Sequence, residues 1–186
     1  LSSENLYAYF AGKVASDTIR FPDDAELEGA IRTRPQYGWI PQNRLRLILE
    51  ELEFAARDKF NINGRLQEGL TIEHIMPQSW TAFWPLRNGF LAPADLSAAD
   101  EATRIEVQGR SALIHSLPNL TLLTPPANSQ IGNGDFETKK KRLADSLLKT
   151  NVSIAGEAAW DENAIERRAS VLAALAKRVW PYPGAP

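Results

Sequence analysis

The chain has 186 residues, 44% hydrophobic and 24% charged, with a formal net charge of −2 and no cysteine. That length suits one domain with a full core; no apolar run approaches the ~18 residues of a membrane span, and disulfides and thiolate zinc sites are excluded. The charge balance is not that of a protein that grips nucleic acid by bulk electrostatics, so any such binding is local or comes from another domain, and any metal must use oxygen or imidazole ligands. A cytoplasmic protein is expected, and the start at Leu1 instead of a methionine suggests a further region upstream.

Leu6, Phe10 and Val14 recur at helical spacing and predict an amphipathic first helix. Asp23 and Asp24 can cap a second helix running to about Arg34. After a break from Pro35 to Pro41, the stripe Leu45, Ile48, Leu49, Leu52 predicts a long helix starting near Pro41. Turn residues Asn61 to Gly64 lead into a short strand, Leu70 to His74. Trp80, Phe83 and Trp84, mixed with prolines and Gly89, read as a packed loop. Ser97 is the expected cap of a helix into His115 that carries Ile105, Leu113 and Ile114. Leu120 to Thr124, closed by Pro125 and Pro126, is a second strand that can pair with the first. A polar turn from Asn128 to Gly134 precedes a helix capped by Asp135, with Phe136, Leu143 and Leu147 inward and Lys139 to Arg142 on the other side. The last helix runs from an Asp161 cap to Trp180 and stops at Pro181, with a frayed tail beyond.

The chemistry concentrates at Glu73 and His74. Neighbours in a strand point to opposite faces, so the two cannot share one apolar layer, and Pro77 stops a continuing central strand. A strand that ends on an acid and an imidazole can present catalytic groups on a rigid support, and a histidine there can also be structural. Carboxylate and amide oxygens are hard ligands that suit Mg²⁺, and Glu73 and Asn128 could supply them. A neutral imidazole, with a reference pKa of ~6.5, can deprotonate a water, and His74 could do so. Together these groups would hydrolyse a phosphodiester. Lys139 and Lys140 are candidate phosphate contacts. His115, at a helix end, reads by default as a cap for carbonyls or a solvated group.

Glu73-His74-Ile75-Met76-Pro77-Gln78, Leu117-Pro118-Asn119-Leu120-Thr121-Leu122-Leu123 and the turn at Asn128 resemble the two strands and metal turn of HNH nucleases, the ββα-metal or His-Me finger class. Asn128-Ser129, Phe136 with Lys139-Lys140, and the closing helix from Arg167-Arg168 to Trp180-Pro181 resemble more narrowly the C-terminal nuclease domain of GmrSD-type modification-dependent restriction enzymes. The sequence departs from a common form of the family at Pro118, where glycine is usual, and at Glu73, where many members carry aspartate.

The resemblance implies a mostly helical α+β fold, a single nuclease domain over residues 1–186. Its ββα-metal core would span about 70–148 between helical flanks at 4–60 and 161–180. It implies His74 as general base, Glu73 and Asn128 as ligands of Mg²⁺ or Mn²⁺, and Asn119 as structural support for the loop between the strands. It also implies DNA as substrate, no membrane, an upstream nucleotide-hydrolysing domain, and a role in defence against phage through modified or phosphorothioate-marked DNA. Two alternatives remain on sequence grounds: an inactive helical interaction module of the same fold, and an RNA-cleaving relative.

Overall fold

Gln42–Ala56 and Glu162–Val179 are the two long helices around which the other elements gather. The structure is a computed structural model that describes residues 8–9, 22–57, 66–126 and 134–182. The predicted first helix at Leu6, Phe10 and Val14 and the turn at Asn61 to Gly64 lie outside the described residues, as do Asn128 and the end of the tail. In chain order come α1 (Asp24–Thr33), α2 (Gln42–Ala56), β1 (Thr71–His74), α3 (Glu101–Leu113), β2 (Leu120–Leu123), α4 (Phe136–Asp145), α5 (Lys149–Ala155) and α6 (Glu162–Val179). The protein is thus mostly helical α+β, with a small two-stranded sheet embedded among helices. Among the described residues no helix is long and apolar enough to cross a membrane.

Local chemistry sets most element ends. Asp23 accepts from Glu26 N while Glu26 returns a bond to Asp23 N, a reciprocal capping box that starts α1. Pro41 precedes α2, and Asp135 and Asp161 accept backbone N–H groups at the starts of α4 and α6. The strands pair antiparallel with Thr71 opposite Leu123 and His74 opposite Leu120. Gly69, at φ 77°, turns the chain into β1 through backbone that a side chain would strain.

Three expectations are corrected. Ser97 does not start the third helix: Asp95 binds Ser97 in a 3-10 turn at Leu96–Ala98, and Asp100 caps α3 by accepting from Thr103 N at 2.7 Å. Ile105 faces outward at 60% exposure, while Val107 and Arg110 are buried. Leu147 is 84% exposed, because α4 ends at Asp145 and Leu147 sits at φ 57°, where the chain reverses into α5, a helix not anticipated from sequence.

The packing centre is α6: its Leu172 and Ala176 are buried in a cluster with residues of α1, α2 and the 3-10 turn at Leu117–Asn119, and its Ile165 in a second cluster with Trp80, Trp84 and Val107. Every residue of β2 is buried, its three leucines in the core and Thr121 with its hydroxyl donating to Asn151 Oδ1. Arg168 reaches from α6 to donate to the carbonyls of Pro118 at 2.7 Å and Leu120 at 2.8 Å. Burial draws its guanidinium pKa down to about 9, so it remains a cation at neutral pH. Trp80 and Trp84 fill the second half of the core, whereas Phe83 is exposed.

The N-terminus of α5 has Leu148 at the cap position, with no side-chain oxygen to offer. Glu53 supplies it from α2, accepting from Lys149 N and Thr150 N, each at 2.9 Å, and from the Thr150 hydroxyl at 2.8 Å. Glu53→Ala strands these donors and should destabilise the fold by about 3 kcal/mol in urea denaturation; a loss under ~0.5 kcal/mol, the range of ordinary surface substitutions, would contradict this role.

Candidate active site

The site lies where β1 ends. Glu73 and His74 are its last residues, and the chain beyond them is fixed by Asn119, which immediately precedes β2. Asn119 is fully buried, and its side chain makes four hydrogen bonds. Its Oδ1 accepts from Met76 N at 2.9 Å and Trp160 Nε1 at 3.0 Å, and its Nδ2 donates to Met76 O and Ile114 O, both at 2.9 Å. Ile75 N donates to Asn119 O at 2.9 Å, so the turn after His74 is tied to this residue through both backbone and side chain.

Glu73 and His74 diverge as strand neighbours must. Glu73 turns towards α4, where Lys139 Nζ donates to Glu73 Oε1 at 2.7 Å and to the His74 carbonyl at 2.8 Å. Lys139, expected to reach phosphate, is 1% exposed and has its ammonium engaged in these two bonds. The helical stripe explains it: Phe136, Lys139 and Leu143 share one face, and all three are buried. Lys140 is half-buried, its ammonium over the Phe136 ring and 3.4 Å from Glu137. Burial pushes the Glu73 carboxyl above the usual carboxylate range, opposed by the Lys139 charge; the same burial pulls Lys139 below the usual lysine value, opposed by Glu73.

His74 turns the other way, into a ring cluster with His115 and Tyr37 that sequence reasoning did not assemble. His74 Nε2 lies 3.2 Å from His115 Nδ1, and Tyr37 packs against both rings. Burial first, then the neighbouring His115 and Lys139, hold the His74 pKa down to about 4. It is therefore a neutral imidazole at neutral pH, free of the proton a base must lack.

The site brings together Glu73, His74, Asn119 and Lys139. Lys140 stands on the same helix as Lys139 without a described contact to the pair, and Asn128 is outside the described residues. Among the described residues no group of three or more His, Asp or Glu could enclose a metal ion. A single carboxylate at a partly open position does fit a Mg²⁺-like ion, which takes one or two carboxylates and keeps its waters.

Fold and site thus define a helical α+β domain that presents a carboxylate and a neutral imidazole at the end of a partly buried strand, paired with a fully buried one. The chain belongs to the GmrSD restriction endonuclease C-terminal domain family, whose model matches residues 21–175. No curated protein and no solved structure gave a significant match.

The depressed pKa of His74 has a consequence for stability. An unfolded histidine titrates near ~6.5 and the folded one at about 4, so between these values only the unfolded chain takes up the proton and stability falls as pH falls. Across that window His74 should contribute a loss of about 3 kcal/mol. Urea denaturation at pH 7 and pH 4 should show a smaller drop for His74→Gln than for the wild type; equal drops would contradict the depressed pKa.

Proposed function

We propose that this domain is a metal-dependent DNA endonuclease of the HNH type, acting in a restriction system directed against phage. The observation that carries the reading is the placement of Glu73 and His74 at the end of β1, on backbone that Asn119 fixes, in a chain of a restriction endonuclease family. His74 is the general base: it accepts a proton from water as the water oxygen attacks phosphorus, and the bond from phosphorus to the 3′ oxygen breaks. Glu73 holds the divalent cation, Mg²⁺ or Mn²⁺, with Asn128 as second protein ligand. When bound, the cation supplies Lewis-acid stabilisation of the charge developing on the phosphate and the leaving oxygen.

The remaining residues of the site prepare this arrangement. Asn119 keeps the turn after His74 in place, so the imidazole and the carboxylate stay on opposite sides of the strand end. Lys139 balances the Glu73 charge and fixes its direction through the bond at 2.7 Å. Lys140, on α4, has an ammonium that could turn to a backbone phosphate, since its present partner, Glu137, is exposed. The net charge of −2 leaves most of the grip on DNA to other parts of the protein. The family is described as a C-terminal domain, which supports a further region upstream; in this reading that region is a nucleotide-hydrolysing domain and the protein is cytoplasmic.

With Mg²⁺ or Mn²⁺, the wild type should nick or linearise supercoiled plasmid, and His74→Ala should lower the rate by about 10²–10⁴-fold. Calorimetry separates the roles: Glu73→Ala and Asn128→Ala should weaken cation binding, while His74→Ala retains it. Equal cleavage by wild type and His74→Ala would remove His74 as the base, and unchanged cation affinity in Glu73→Ala would remove Glu73 as a ligand. Matched RNA run beside the plasmid tests the choice of DNA.

A further inference from the structure

The imidazole assigned as base has a partner on the side away from Glu73. His74 Nε2 and His115 Nδ1 are 3.2 Å apart, and the rings meet edge to face with centroids 5.3 Å apart at 81°. Tyr37 stacks on His115 at 5.8 Å and 14° and meets His74 edge-on at 4.5 Å and 69°. The segment that carries Tyr37 is docked by backbone: Tyr37 N donates to His115 O at 3.0 Å, and Pro35 bridges Ser116. Gln42 Nε2 donates to the Tyr37 hydroxyl at 3.0 Å, which ties the phenol to the first turn of α2.

Two imidazole nitrogens at this distance form a hydrogen bond only when a single proton lies between them, and this leaves two arrangements. If His115 Nδ1 carries the proton, it occupies the lone pair of His74 Nε2; His74 is then protonated at Nδ1 and has nothing with which to accept. If His74 Nε2 carries it, the lone pair of His115 Nδ1 receives it, and His74 Nδ1 is an open lone pair. Only the second makes a base.

We propose that His115 is a positioning residue of this site: its Nδ1 accepts the Nε2 proton of His74, fixing the tautomer in which His74 Nδ1 takes the proton from water, and Tyr37 holds the His115 ring in place. This rests on His74 being the general base. The step balances simply. An O–H bond of water breaks, an N–H bond forms at His74 Nδ1, and the proton on Nε2 stays where it is. The bond to His115 strengthens as its donor becomes charged, so stabilisation is greatest when the proton has moved. His115 touches no reacting atom.

Two substitutions separate this from a packing role. His115→Phe keeps a ring for Tyr37 and removes the acceptor; His115→Asn removes the ring and keeps an acceptor bonded to Cγ, as Nδ1 is. With plasmid and Mg²⁺, His115→Phe should lose about 10–100-fold in kcat with KM unchanged, the usual scale for a partner that orients a site group, and His115→Asn should recover most of that loss. The reverse order, an active Phe variant and an impaired Asn variant, would overturn the proposal in favour of packing. Imidazole ¹⁵N shifts of the unsubstituted protein at pH 8 provide a readout that needs neither variant to fold. The proton of His74 should be on Nε2, and finding it on Nδ1 would overturn the proposal. An Nε2 proton in a wild-type protein that fails to cleave would instead overturn the nuclease reading and leave the hydrogen bond standing.

Discussion

A buried amide organises the site. Asn119 has no exposed surface, and its side chain uses both oxygen lone pairs and both N–H groups on partners from three parts of the chain: the turn after β1, the end of α3, and Trp160 just before α6. An unpaired amide in such a place costs about 1–3 kcal/mol for each abandoned group, so the four partners are held together or not at all. The consequence is geometric. With Met76 fastened at both N and O, the backbone after His74 cannot drift, and the alternation of the strand is carried through to its last two side chains.

That alternation separates two electrostatic environments only one residue apart. On one side, Glu73 and Lys139 form an ion pair in a poorly solvated position, each raised or lowered against its neighbour's charge by burial. A buried pair of this kind adds little to stability over well-packed apolar groups, and it fixes where a charged group points. On the other side, aromatic rings surround an imidazole that stays neutral. If both side chains lay on the same face, the carboxylate would stabilise the imidazolium and raise the histidine pKa, as in a triad. The strand keeps them apart, which leaves the carboxylate for a cation and the imidazole for a proton in the proposed reaction.

Features set by nearby sequence were legible. Asp23, Asp135 and Asp161 cap helices because their carboxylates reach the N–H group three residues on, and the pairing of Leu120 to Leu123 with Thr71 to His74 follows from two largely apolar runs closed by prolines. Ser97 failed as a cap because Asp95 and Asp100, stronger acceptors on either side, divide the segment into a 3-10 turn and a later helix. The α5 helix was invisible because its cap comes from Glu53, far away in sequence. Lys139 was hidden inside a charged run, although its spacing between Phe136 and Leu143 placed it on the apolar face. The meeting of Tyr37 and His115 with His74 has no local signal, since three separate segments must fold before the rings touch.

The central claim is that Glu73 is the cation's carboxylate and His74 is not a ligand. Anomalous diffraction from crystals of the wild-type protein soaked in Mn²⁺ tests it most directly. The account predicts a peak about 2.0–2.2 Å from a Glu73 carboxylate oxygen, with the His74 imidazole outside ligand distance. A peak coordinated by His74, or no peak at Glu73 at Mn²⁺ concentrations that support cleavage, would contradict it.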